Sequence, residues 1–236
     1  MNTRKVVTAK GVRLEQYGVV LSEILKEPGP THSIFDVLAI AADQVSVGDR
    51  CGLLGFAGGG VLAPLRASGS DLVVDGVDLD DTGYQEFRRI CSKWAGDVRF
   101  SQEDALQWLE RDGDSFDVII EDLSEPQGHD VFKPDLSFGE LPGAIRRRLA
   151  PGGGLVINLL RRPDQVWAQL LGSVTFEGEA GFLVSFDDFM NKILIIGVGL
   201  EDARTFSRKL RRALWSIGSD LSDAISVRSW CRNLES

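Results

Sequence analysis

Three acidic residues end one apolar run. The segment FDVIIEDLSEP brings Glu121, Asp122 and Glu125 together within five positions. At the mouth of a parallel sheet, such crowding of like charge favours a bound cation or amine, with simple solvent exposure as the alternative. Upstream, Gly55-Phe56-Ala57-Gly58-Gly59-Gly60 follows a short apolar run and opens a helical pattern. Glycines there tighten a turn and let the backbone approach a nucleotide closely. The loop is compatible with GxGxG and with GxAxxG, so it admits a dinucleotide or S-adenosylmethionine, and a purely structural glycine turn also fits. Asp78, in VDLD, can accept both ribose hydroxyls, with Leu79 beside it; Asp80 is either a rival for that role or a helix cap. Asp104 can accept from an adenine amine while the N–H of Ala105 donates to a ring nitrogen, or Asp104 caps a helix.

These residues need a frame, and the hydrophobic pattern supplies one. From Arg50 the chain alternates between strand and helix: strands at 53–57, 72–79, 98–101, 116–122 and 154–159, helices at 81–94, 104–111 and 141–149. The unbroken Val118-Ile119-Ile120 implies burial on both faces. Apolar strands alternating with helices predict an α/β protein with a mostly parallel sheet covered on both sides. The segments 174–176 and 192–198 read as strands without an intervening helix, which predicts an antiparallel hairpin at one sheet edge. Helical patterns cover 163–171 and 201–216. Before this frame, 6–8, 12–16 and 19–24 read as short strands, with a turn at Tyr17-Gly18, and Thr31 could cap a helix to about 44. The predicted division is an N-terminal β-rich appendage, 1–30, and one larger domain, 31–236.

The chain has 236 residues, with 26 Lys plus Arg against 35 Asp plus Glu and a net charge of −9. That length buries a core without disulfides or metal. The acidic balance disfavours nucleic acid and anionic membranes as partners. The basic positions Arg146, Arg147, Arg148, Arg161, Arg162, Arg204, Arg208, Lys209, Arg211 and Arg212 read as helix ends and a solvated face, with an RNA-binding patch as the lesser alternative. Three scattered cysteines, no CxxC and two histidines, His32 and His129, give no metal site and suit a reducing cytoplasm. No signal peptide or membrane span is legible.

The stretches LLGFAGGGVL, VDLD, EDALQWL and FDVIIEDLSEPQG occur in this order and at spacings that resemble the S-adenosylmethionine-dependent methyltransferases, and within them the polyamine synthases, spermidine synthase and its relatives. Asn191 with KILI also fits a late strand of that family. The resemblance implies a Rossmann-like methyltransferase fold, with a seven-stranded, mostly parallel sheet and an antiparallel edge hairpin. It implies S-adenosylmethionine or its decarboxylated form as cofactor, held by Gly55, Ala57, Gly58, Gly59, Asp78, Leu79, Asp104, Ala105 and Asp122. Asp122 falls on the family's catalytic Asp, which helps deprotonate the attacking amine, and Glu125 on an acid that holds the far amine. A protonated amine is no nucleophile, so a carboxylate must take its proton.

The departures matter equally. The family's loop carries an Asp where this chain has Gly58, and its Tyr and Gln or His fall at Ile34 and Phe35, with His32 two residues away. The nucleotide half looks kept and the polyamine half changed. The expectation is a spermidine synthase-like transferase that moves an aminopropyl or methyl group to a small, amine-bearing acceptor. The alternatives are a nucleotide-binding protein without turnover and an NAD-linked oxidoreductase. The N-terminal strands offer an edge that can pair across a homodimer.

Overall fold

The computed structural model describes residues 3–127, 130–160 and 165–232, with backbone alone at 126, 127 and 130. His129 and the pair at 161 and 162 lie outside the described residues. The chain opens with β1 (Arg4–Val7), β2 (Gly11–Gln16) and β3 (Val19–Leu25), a separate antiparallel sheet in that order. Gln16 faces Val19 across a two-residue turn, and Tyr17 and Gly18 have φ of 52° and 82°. Two positive φ values match the right-handed strand twist, which is why this hairpin closes so tightly.

The main sheet has eight strands. In chain order they are β4 (Arg50–Leu54), β5 (Val73–Asp78), β6 (Val98–Gln102), β7 (Phe116–Glu121), β10 (Leu149–Leu159), β11 (Ala180–Phe186), β12 (Lys192–Ile196) and β13 (Ile225–Cys231). A short antiparallel pair, β8 (Glu125–Gln127) and β9 (Asp130–Phe132), forms an excursion after β7. Across the sheet the order is β13-β11-β12-β10-β7-β4-β5-β6. The strands from β10 to β6 run parallel, and β11, β12 and β13 close the edge in antiparallel pairing.

The frame matches the expected α/β architecture, with two corrections. The predicted strand 174–176 is not one. Leu170, Leu171 and Val174 are buried at helical spacing and end α6 (Trp167–Val174), and the hairpin partner is β11. The seven strands expected become eight because ISVRSWC pairs along β11. Helices α1 (Ile34–Val45), α2 (Leu62–Ala67), α3 (Thr82–Cys91) and α7 (Ala203–Ser216) cover one face, and α4 (Ala105–Glu110), α5 (Leu141–Arg148) and α6 the other. Val118 and Ile120 belong to the first core and Ile119 to the second, all with no exposed surface. Val12, Leu14 and Ile24 of the small sheet join the first core, so the appendage is seated on the face carrying α1.

Helix α1 starts at Ile34, three residues beyond Thr31. The buried Asp36 takes the Thr31 N–H at 2.8 Å, the Thr31 hydroxyl at 2.7 Å and the His32 N–H at 3.0 Å, holding 31–32 as a hook before the helix. Ser219, far along the chain, donates to the same carboxylate at 2.6 Å.

Candidate active site

The chain lays down β4, β5 and β6 outward to one side, then returns to place β7 and β10 on the other. Between β4 and β7 lies the point where strand order reverses, where ligands of open α/β sheets bind beyond the carboxyl ends of the strands. A cavity of about 1210 Å³ opens there. Gly55, Ala57, Asp78, Leu79, Asp104, Ala105, Asp122 and Glu125 all line it, so residues spread over seventy positions converge on one space.

The glycine loop is explained by what surrounds it. Gly55 has φ of 85°, and a Cβ there would meet the Asp122 carbonyl oxygen at 2.6 Å. Ala57, with φ of 45°, holds a left-handed conformation that its side chain disfavours. It is fixed by donating its N–H to Asp78 Oδ2 at 2.7 Å. A Cβ on Gly83 would meet the Ala57 carbonyl oxygen at 1.8 Å, so the first turn of α3 rests directly on the loop backbone. Gly83 was not singled out from the sequence; a glycine in a helical first turn facing such a loop was the available signal.

Gly58 and Gly59 do not line the cavity. A Cβ on Gly58 would meet Ile24 Cγ1 at 2.8 Å and Leu14 Cδ1 at 3.0 Å, and one on Gly59 would meet the Phe56 ring at 2.8 Å. The small N-terminal sheet therefore sits where a side chain at 58 would go. Restoring an acid there, Gly58→Asp, is expected to cost roughly 1–3 kcal/mol by overpacking, before any penalty for the buried charge. Urea unfolding measures this. An unchanged stability would mean that the sheet yields and leaves the position open.

On the side of β5 and β6, burial pushes the Asp78 carboxyl above its usual range, opposed by the N–H groups of Ala57 and Asp80. Asp80 serves the helix: its Oδ1 takes the Thr82 N–H at 2.6 Å, and bonding to Thr82 holds its carboxyl below the usual range. Asp104 caps α4 through Leu106 and Gln107 N–H groups, both on Oδ1 at 3.0 and 3.1 Å. Cap and ligand thus need not compete, because Oδ2 takes neither bond. Leu79 is 66% exposed and supplies an apolar wall at this end.

Asp122 follows β7 at the reversal point. Burial raises its carboxyl to about 7, aided by Glu121 and Asp78 and opposed by the Lys133 charge and a hydrogen bond from Asn158. That bond, Asn158 Nδ2 to Asp122 Oδ1, is 2.6 Å. Asn158 Oδ1 accepts in turn from Asn191 Nδ2 at 2.8 Å. Strands β10 and β12, paired at Asn158 and Ile193, bring these two amides behind the acid. The sequence marked Asn191 but gave no signal for Asn158, because the pairing exists only in the folded sheet.

The three-acid cluster does not form as a unit. Glu121 is 2% exposed and lies outside the cavity. Its Oε2 pairs with the fully buried Lys133 at 2.5 Å, and its Oε1 accepts from Ser137 Oγ and the Leu123 N–H. Glu125 stays exposed on the cavity rim. His32, Ile34 and Phe35 also line the cavity, and His32 Nδ1 lies 3.1 Å from Asp220. The basic positions serve the fold in part. Arg146 forks onto Glu179, Arg148 reaches carbonyls at 111 and 114, Arg211 reaches those at 222 and 225, and Lys209 pairs with Glu201. No helix among the described residues is long and apolar enough to cross a membrane.

The strand order, the reversal-point cavity and the converging carboxylates define a Rossmann-like fold of the S-adenosylmethionine-dependent methyltransferase type. Comparison with solved structures agrees. The chain superposes on spermidine synthase in complex with the transition state analogue AdoDATO with a TM-score of 0.63 at 14% identity, covering 84% of this chain and 71% of that one. It matches spermidine synthase from Thermotoga maritima at 0.58 and 13% identity, over 84% and 70% of the two chains. It also matches an S-adenosylmethionine-dependent methyltransferase from Agrobacterium tumefaciens at 0.54 and 16%, over 83% and 70%. No protein-family model matches the chain, and no curated protein does.

Proposed function

We propose that the protein is a cytoplasmic, spermidine synthase-like transferase that uses S-adenosylmethionine or its decarboxylated form to alkylate a small amine-bearing acceptor. The observation that carries this reading is Asp122, a half-buried carboxyl raised to about 7, in one cavity with the nucleotide-side acids Asp78 and Asp104. The residues present fit an adenosyl group: Asp78 for the ribose, Asp104 Oδ2 for the adenine amine, and the left-handed loop at Ala57 for close backbone approach. When bound, the cofactor supplies an electrophilic carbon next to a sulfonium.

Asp122 receives the proton of the acceptor ammonium and leaves the nitrogen lone pair free. A raised carboxyl suits this, since its proton affinity lies nearer that of an amine than an ordinary Asp does. Oδ1 is held by Asn158, so Oδ2 takes the incoming amine's proton without competition from that bond. Positioning does much of the remaining work.

Activity requires ionised Asp122, so it should rise with pH through a midpoint near 7 in the free enzyme. Asn158→Leu removes the bond that favours the charged form, and the midpoint should then move up by about one pH unit. A pH profile of kcat/KM checks both, and an unmoved midpoint in the variant would separate Asn158 from Asp122. The transferase reading itself is tested by calorimetric titration with both cofactor forms and product analysis across an amine panel. Binding without product from any amine would leave a nucleotide-binding protein, and tight NADH binding with neither cofactor bound would favour an oxidoreductase.

A further inference from the structure

The reversal point splits the cavity into two unlike halves. Of its acids, Asp78 ends β5, Asp80 follows it, and Glu103 and Asp104 follow β6, on the nucleotide side, while Glu23 of β3 is paired with Arg13 at 2.5 Å. The half beyond Asp122, built by the segments after β7 and β10 and before β12, is walled by Val131, Phe132, Leu136, Leu160, Phe189 and Met190. The polar groups of that half among the described residues are largely committed. Asn158 donates to Asp122, and Asn191 donates to Asn158. Glu121, one residue before the reacting acid, is neutralised by Lys133. Glu125 is exposed at the rim, where solvent screens it.

Resting on the transferase reading above, we propose that the acceptor is a monoamine with an apolar body, such as an arylalkylamine, and not a diamine or polyamine. One ammonium has a partner, Asp122. A second, a few bonds away, would be stripped of water against aromatic and aliphatic side chains, with no buried and uncommitted countercharge among the described residues. An aryl or alkyl body gains from that same surface. Phe132 ends β9, and Lys133, the next residue, is paired with Glu121, so this wall is held in place.

The test is calorimetric titration of the full chain with 2-phenylethylamine and with 1,4-diaminobutane, in the presence of S-adenosylhomocysteine. We expect 2-phenylethylamine to bind at least tenfold more tightly. Phe132→Ala and Met190→Ala should each weaken it by threefold or more and leave 1,4-diaminobutane within twofold, a selective loss that a general structural defect would not produce. Met190 is 68% exposed, so that variant should fold even if the other does not. Equal or tighter diamine binding, no binding of 2-phenylethylamine at millimolar concentration, or parallel loss of both amines would overturn the proposal. Titration of the same protein with the two cofactor forms reports separately on the transferase reading: if neither binds, that reading fails, while the amine ratio still decides acceptor class.

Discussion

Asp122→Asn should lower the transfer rate by 10²- to 10⁴-fold, the usual range for a positioned acid or base, while affinity for the adenosyl cofactor stays within about threefold. Asn still offers Oδ1 to Asn158, so the local geometry is kept and only the proton-accepting charge is lost. The same variant should be more stable than the parent, and the gain should depend on pH. The folded carboxyl titrates near 7, above its ordinary value of 3.8. Between those values the folded chain binds a proton that the unfolded chain has released. Parent stability therefore falls as pH rises through that window, and the cost of the buried charge is complete above 7. Asn carries no such cost. The advantage of the variant should be near zero at pH 4 and reach on the order of 2 kcal/mol at pH 8, allowing for the partial exposure of Asp122. Urea unfolding at the two pH values, beside single-turnover assays, measures both effects. A variant that retains full turnover would remove Asp122 from the chemistry. One destabilised equally at both pH values would show that the carboxylate is a structural anchor.

Much of this arrangement was legible because it is local. The strand ends carrying Asp78 and Asp122, and the helix start at Asp104, follow from period and punctuation within a dozen residues. Of the two readings offered for Asp104, the helix cap is present, and the residue also lines the cavity. What escaped the sequence depends on contacts between distant segments. Gly58 and Gly59 look alike as loop glycines, yet Ile24, Leu14 and Phe56 occupy the space beside them. The amide pair behind Asp122 depends on the antiparallel register of β10 and β12, and the strand at 225–231 on an open edge of β11. Helix α1 begins at Ile34 because Asp36 takes the Thr31 hydroxyl, the group that would cap a helix there, together with the Thr31 and His32 N–H groups. Most of these share one form, a residue adequate for a local role taken by a partner far along the chain; at Gly59 and Thr31 the competing partners, Phe56 and Asp36, are near in sequence.

The largest stability effect should come from Lys133, which no local pattern marks. Its side chain has no exposed surface, and it forms an ion pair with Glu121, itself 2% exposed. Lys133→Met should cost roughly 3–5 kcal/mol, because it leaves a carboxylate buried without compensation. That is a large part of the 5–15 kcal/mol that typically separates folded from unfolded chains. Glu121→Gln combined with Lys133→Met should recover most of the loss, since Gln can still accept from Ser137 and the Leu123 N–H while neither position is charged. Urea unfolding of parent, single and double variants gives the coupling directly. Additive losses would mean that the two charges act independently. The pair also bears on chemistry, because the Lys133 charge draws the Asp122 carboxyl down against the pull of burial. In the double variant that charge is gone together with the opposing charge of Glu121. If Lys133 acts mainly by cancelling Glu121, the activity midpoint should stay near 7; if it acts on Asp122 directly, the midpoint should rise. The ion pair thus accounts for how two adjacent acids at one strand end take different roles, one fastening the β8–β9 excursion and the other facing the cavity.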